Sequence, residues 1–257
     1  MKGKRAFTLV ELLVVIAIIA LLMSILMPAM ARVRKQAKGV ICLSNLKQWG
    51  AIFSMYTQDY DGYFNMGWQG MPDGSSNWWG DALRSFYKDQ DICCCPTATK
   101  PYNEGGKIPF GAWWDYDGWL TPGSYGSYGI NGWVEDNRGI EWGLNPNNRW
   151  RHCNVSGTDK IPLFLGNQWI DGWPQPYDEP PPYDGFPRGS VESNYMERFV
   201  MNRHEGRVAG LFMDMSVRMI GLKELWVLKW HRTYDQFYPV PTWPEWMEDF
   251  KDYAIAP

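Results

Sequence analysis

Residues 4–31 read KRAFTLVELLVVIAIIALLMSILMPAMA. Between Leu12 and Met27 there is no charge, and Ser24 is the one polar residue. From Phe7 to Ala31 the sole charge is Glu11. As an α-helix rising about 1.5 Å per residue, that segment would extend roughly 37 Å, enough to cross a hydrocarbon core of about 30 Å. Leu, Ile, Val and Ala fill the run, so it reads as membrane-inserted. Pro28 enters only near the end. It has no N–H to give and its ring crowds the preceding turn, so it is expected to kink the helix there.

Outward from this segment the charge is uneven. The 257-residue chain has a formal net charge of −3, yet residues 1–40 carry seven Lys/Arg against Glu11 alone. The remainder holds 18 bases and 27 acids. An acidic body disfavours nucleic acid as a partner, because neutralising phosphates needs clustered Lys and Arg. Sixteen Trp, 26 Gly and 18 Pro in a chain that is 45% apolar exclude full disorder and point to a loop-rich globular body pinned by large aromatic side chains. The head itself admits three readings: a secretory signal peptide ending at Ala29-Met30-Ala31, a plain anchor, or a segment in which Glu11 has a function. A carboxylate near the start of an apolar span costs several kcal/mol unless it is paired or reaches the headgroup region. Flanking charge does not orient the span, since three bases precede it and four follow.

Lys4-Arg5-Ala6-Phe7-Thr8-Leu9-Val10-Glu11, running directly into the apolar stretch, resembles the cleavage and methylation site of type IV prepilins. Pro28, twenty-one residues after Phe7, matches a position where these pilins often carry Pro. The resemblance implies that a prepilin peptidase cuts between Ala6 and Phe7, and that Phe7 becomes the methylated N-terminus. It further implies that Glu11 pairs with a neighbouring subunit's terminal amine during assembly. Ala6 stands where the family usually has Gly. On this reading residues 1–6 are a leader, 7–31 a transmembrane and assembly helix, 32–60 its amphipathic continuation, and 61–257 an extracytoplasmic globular domain. The implied protein is a pilin or type II secretion pseudopilin, a structural subunit and not an enzyme, with no cofactor. It is single-pass in the inner membrane or carried on a surface filament. Its implied partners are prepilin peptidase, identical or related subunits and inner-membrane lipid.

No turn signal follows Ala31. Val33, Ala37, Val40/Ile41, Leu46, Trp49, Phe53, Tyr56 and Tyr60 recur at mostly three- and four-residue steps, as on one helix face. One helix is therefore expected from about Phe7 to Thr57, weakened locally by Gly39 and Gly50 and ended by Asp61-Gly62. Such a fusion without a linker suits a filament subunit, whose span must hold its body at a fixed radius.

The body is punctuated rather than periodic. Asp61-Gly62, Asp117-Gly118, Asp171-Gly172 and Asp184-Gly185 each lie between bulky residues and fit tight turns. The alternative, calcium, is weakened because Asp59-x-Asp61-Gly62 and Asp115-x-Asp117-Gly118 lack the third acidic ligand and closing Glu of an EF-hand loop. Ile161–Leu165, Gln168–Ile170, Val208–Met213 and Val217–Ile220 read as strands. Leu222–Tyr234 and Pro244–Tyr253 read as short helices, and Tyr177–Pro187 as a Pro-rich surface loop. The fold class is α+β: a long N-terminal helix whose second half packs on an antiparallel sheet with large Trp/Gly/Pro-rich loops. The pilin resemblance implies the same fold.

Arg203-His204 and Asp214, with nine residues between His204 and Asp214, resemble a box found in pilin-like proteins with large bodies, with Met215 where Gly is usual. The physical reading is a hairpin with His204 at one turn and Asp214 at the next, where Asp214 could accept a hydrogen bond from His204. As an acid–base pair they lack a visible nucleophile or metal. Cys93-Cys94-Cys95 leaves three readings open: a disulfide from the trio, Cys95 for instance, to Cys153; buried free thiols, as Cys42 on the helix also suggests; and a metal held by His152, Cys153 and two of the trio. Paired C-x2-C spacing is missing, so no metal is assigned. The Trp wealth fits core bracing or, where exposed beside Asp and Asn, stacking on sugars. The rival function is accordingly an exported or anchored Trp-rich binding protein, perhaps for glycans, that uses the head for export without assembling.

Overall fold

The computed structural model describes residues 9–67, 78–115, 120–137, 144–187 and 194–253. The chain divides into two compact units, residues 1–38 and 39–257. Helix α1 runs Leu9–Asp59 and contains Pro28 in its interior. It stops where two successive residues turn left-handed, Asp61 at φ 51° and Gly62 at φ 85°. Asp tolerates that region and Gly favours it, which makes Asp-Gly an efficient helix stop. A Cβ on Gly62 would also sit 2.3 Å from the His152 ring, so the turn and the chain beneath it admit only Gly.

In the first unit every described side chain, Leu9 through Lys38, is exposed within the chain. In the second unit the buried residues of α1 are Gly39, Cys42, Leu46, Trp49, Gly50, Ile52, Phe53, Tyr56 and Thr57. The face expected from the sequence is therefore rotated at its start. Val40 and Ile41 stay 68% and 49% exposed, and Gly39 and Cys42 take their place. The reason is close approach. A Cβ on Gly39 would lie 3.2 Å from Met219 Cε, and one on Gly50 would lie 3.1 Å from Leu211 Cδ1. The two glycines cost helix propensity, but they let the sheet come up against the helix backbone.

Strand β4 (Tyr128–Asn131), β5 (Pro162–Gly166), β6 (Asp171–Gly172), β7 (Arg207–Phe212) and β8 (Val217–Gly221) form a five-stranded sheet in the order β6-β4-β5-β7-β8. It is antiparallel except for the short parallel pairing of β6 with β4. A smaller sheet, β1 (Lys100–Pro101), β2 (Gly111–Trp114) and β3 (Tyr125–Gly126), was not foreseen from the sequence. The helix meets the larger sheet through aromatic rings. Trp49 lies 5.1 Å from Phe164 of β5, and Phe53 lies 5.6 Å from it, centroid to centroid.

Four local expectations need correction. Asp171-Gly172, expected as a tight turn, is instead strand β6, paired in parallel with β4. Gln168–Ile170 is not a strand, because Asn167 Oδ1 accepts the Trp169 N–H at 2.9 Å and turns the chain before β6. Leu222–Tyr234 keeps only a 3-10 turn at Lys223–Val227, and Pro244–Tyr253 only one at Glu245–Met247. Both segments spend their Trp residues on tertiary contacts. The Pro-rich loop exposes Tyr177 and Tyr183 but buries Asp178, whose Oδ2 accepts the N–H groups of Gln175 and Met196 at 3.0 and 2.9 Å.

The Trp residues brace this loop-rich body as the sequence suggests. Indole N–H groups donate to backbone carbonyls across it: Trp49 to Ile92, Trp79 to Ile170, Trp113 to Tyr128, Trp133 to Pro174, Trp150 to Trp230 and Trp226 to Asp178. Each large ring fills core volume while its polar edge satisfies a carbonyl that irregular chain would otherwise leave without a partner.

Candidate functional site

Ala6 and Phe7, the expected cleavage pair, lie outside the described residues, as does Asp117-Gly118. Glu11 is described and falls in the first turn of α1, where a carboxylate faces the positive end of the helix dipole. Around it Leu9, Val10, Leu12 and Leu13 are all more than half exposed within the chain. Among the described residues, α1 is the one helix long and apolar enough to cross a membrane. The helix continues on both sides of Pro28, and Ser24 Oγ donates to the Leu21 carbonyl at 2.7 Å in the preceding turn.

The second cluster of chemical groups lies inside the body and joins residues from three elements. Cys42 comes from α1, Cys95 from the chain after the 3-10 turn Gln90–Cys93, and His204 from the turn that leads into β7. Their ligand-capable atoms all fall within 4.8 Å of one another. Cys95 Sγ lies 3.3 Å from His204 Nε2 and 3.0 Å from Thr97 Oγ1, while Cys42 Sγ lies 3.0 Å from Tyr128 Oη. The Cys42 thiol donates to Cys95. That bond, helped by His204 and the Arg203 charge, holds Cys95 well below the usual thiol range against its burial. Burial, together with the neighbouring Cys95, pushes Cys42 well up. Burial likewise lifts Cys93 and Cys94 to about 12, which makes them inert thiols.

Arg203 anchors this corner. It is 5% exposed, and its guanidinium donates to the carbonyls of Pro109, Asn167 and Gly111 at 2.6, 3.0 and 3.3 Å, and to that of Ser127. One side chain thus ties the chain leading into β2, the β3–β4 junction and the loop after β5 to the start of β7. Its role went unread in the sequence, although the Arg-His dipeptide was the available signal.

The expected His204–Asp214 pairing does not form. The two residues sit beyond opposite ends of β7, whose six residues alone span about 20 Å at roughly 3.3 Å per residue. His204 faces Cys95. Asp214 Oδ1 instead accepts the Ser216 N–H and Oγ–H at 2.9 and 2.6 Å, shaping the β7–β8 turn. Met215 adopts φ 63° there, which explains why Gly suits that position. All five cysteines are free thiols in the structure, and Cys95 is brought to Cys42, not to Cys153. Cys153 and His152 lie at the helix stop, where the Cys153 N–H donates to the Gly62 carbonyl at 2.9 Å and His152 Nε2 reaches the Asp61 carbonyl at 3.0 Å. A separate cleft of about 440 Å³ is lined by Tyr102, Asn103, Ile108, Trp114, Gln168 and Trp169.

Residues 1–27 match the family model of the prokaryotic N-terminal methylation motif. The chain is 38% identical over 63 residues to the type IV wide pilus major component PilA4 of Thermus thermophilus, an alignment covering 24% of this chain and 48% of that protein. The chain therefore spans about half the length of the curated relative it matches. No solved structure matches it.

Proposed function

We propose that this type IV prepilin-like chain, with its pilin-like α+β architecture, is a subunit of a membrane-rooted filament, either a type IV pilus or a type II secretion pseudopilus. The observation that carries the proposal is the junction of the motif at residues 4–11 with helical turns that are apolar on every side through Ala31. A helix apolar all round has two stable environments, lipid and a bundle of similar helices, and assembly exchanges one for the other. Cleavage between Ala6 and Phe7 creates a cationic amine on Phe7, four residues before Glu11 in the sequence. In a low-dielectric setting an ammonium–carboxylate pair between neighbouring copies removes two costly charges at once. Only a register that brings one copy's Phe7 amine to the next copy's Glu11 achieves this, so Glu11 sets the stagger. The body of residues 61–257 then lies outside the cytoplasm, and its role is structural.

The N-terminal peptide of chain recovered from its own membrane fraction tests this by mass spectrometry. A start at Phe7 with one added methyl group is expected, together with filaments that disappear in Glu11→Ala. A start at Arg32, after Ala29-Met30-Ala31, overturns the proposal. The cleft beside Trp114 and Trp169 favours a second reading, an exported glycan-binding protein. That reading requires oligosaccharide affinity that falls in Trp114→Ala, in chain that never assembles.

A further inference from the structure

We propose that Cys42, Cys95 and His204 form a closed structural site for one zinc-class divalent cation, which clamps α1 to the body. One donor pair, Cys95 Sγ and His204 Nε2, already stands at a zinc-site spacing. Ligand atoms bound tetrahedrally to zinc, at about 2.3 Å for sulfur and 2.0–2.1 Å for nitrogen, stand roughly 3.3–3.8 Å from one another. Cys95 Sγ and His204 Nε2 are 3.3 Å apart, and the three ligand atoms lie within 4.8 Å of one another. Tyr128 Oη also contacts this cluster, 3.0 Å from Cys42 Sγ.

The chemistry selects the class of ion. Two thiolates and an imidazole suit zinc, whereas calcium and magnesium require oxygen ligands. Two thiolates also cancel a divalent charge, so the loaded site buries no net charge, which a core position requires. Cys42 and Cys95 are each 1% exposed and His204 is 9% exposed. Such closure suits a structural ion and excludes substrate.

The surrounding bonds hold the ligands in place, as outer-shell contacts do in metal sites. The Cys95 N–H donates to Ser127 Oγ at 2.6 Å, and Asn45 Nδ2 donates to the Cys94 carbonyl at 3.0 Å. Next to His204, Arg203 fixes four carbonyls. A disulfide between Cys42 and Cys95 would use none of this apparatus around His204. Because each ligand comes from a different element, the chain shows no paired cysteine spacing, and the site is invisible to motif reading.

The test uses the full chain in detergent, purified under reducing conditions without added metal. Elemental analysis is expected to find about one zinc per chain. After chelation and anaerobic addition of Co²⁺, the wild type should show thiolate-to-cobalt charge-transfer bands and tetrahedral d–d bands. Cys95→Ser and His204→Ala should each weaken metal affinity by about 100-fold or more, while Cys153→Ser leaves it unchanged. The cobalt spectrum of the wild type needs no variant to fold and decides the matter alone. Absence of those bands with all thiols reduced overturns the proposal. So does a Cys42–Cys95 disulfide in chain taken directly from its membrane.

Discussion

Asp178 and His231 are buried groups whose titrations oppose each other, and both contact Gln175. Asp178 Oδ2 accepts the Gln175 N–H at 3.0 Å, and His231 Nε2–H donates to Gln175 Oε1 at 3.2 Å. They are 2% and 3% exposed. Burial raises Asp178 from 3.8 to about 7, against the pull of its backbone hydrogen bonds. Burial also lowers His231 from 6.5 to about 4, assisted by the charge of Lys229. For Asp178 the folded state binds its proton more tightly than the unfolded chain, so stability is complete below pH 3.8 and is lost as pH rises to about 7. At 1.36 kcal/mol per tenfold, that loss is about 4 kcal/mol. For His231 the unfolded chain binds the proton more tightly, so stability is complete above pH 6.5 and is lost as pH falls to about 4. That loss is about 3 kcal/mol. The two windows overlap almost fully, and the wild type should be nearly flat between pH 4 and pH 7.

Substitution exposes each slope separately. Asp178→Asn keeps an acceptor for Gln175 and Met196 but cannot titrate, so its stability should rise by about 3 kcal/mol from pH 4 to pH 7. His231→Gln should fall by about 4 kcal/mol over the same range. In a chain of this length each kcal/mol moves the melting temperature by about 2–4 °C, so both trends should be plain in thermal melts of the full chain in detergent followed by near-ultraviolet circular dichroism. Parallel curves for wild type and Asp178→Asn would refute the reasoning, because they would show that the buried carboxyl does not titrate abnormally.

Other substitutions test the helix–body contact and the Arg203 hub. Trp49→Ala, at a fully buried ring packed on Trp79, Tyr87 and Phe164, should cost about 3–5 kcal/mol in chemical denaturation. Trp49→Phe should recover much of this and lose chiefly the bond to the Ile92 carbonyl. Gly50→Val should destabilise by about 1–3 kcal/mol despite better helix propensity, because its branches meet Leu211 and Met215. Arg203→Lys keeps the charge but not the planar fork. It should cost about 3 kcal/mol or more, read in the same denaturation curves, by stranding buried carbonyls.

What the sequence made legible follows from where its information is local. The apolar run, the helix to Asp59, the Asp61-Gly62 stop and the β7–β8 hairpin each rest on patterns a few residues long, and each was readable. The small sheet, the rotated helix face and the buried Asp178 depend on which distant surfaces meet. Gly39 illustrates the difference. Read locally it weakens a helix, whereas in the fold it is where Met219 and His204 approach. His204 was singled out by its spacing to Asp214, but its contact is Cys95, which no spacing along the chain encodes.

The contrast between the two stretches of α1 carries the argument furthest. Through Lys38 its described side chains are all exposed within the chain, and the turns through Ala31 are apolar on every side. From Gly39 the helix presents one notched face, cut by two glycines and filled by Cys42, Leu46, Trp49 and Phe53, to a sheet that fits it closely. The first pattern leaves contact energy to be collected from lipid or from other copies, in any rotation about the helix axis. The second fixes one rotation and one register against the body. On the proposed filament reading, the first stretch serves packing among copies and the second serves the body's own fold. Substitutions on the notched face should therefore lower the melting temperature of the isolated subunit, whereas Glu11→Ala should leave that melt unchanged and remove assembly. If Glu11→Ala destabilised the isolated subunit as strongly as Trp49→Ala does, this division of labour along the helix would be wrong.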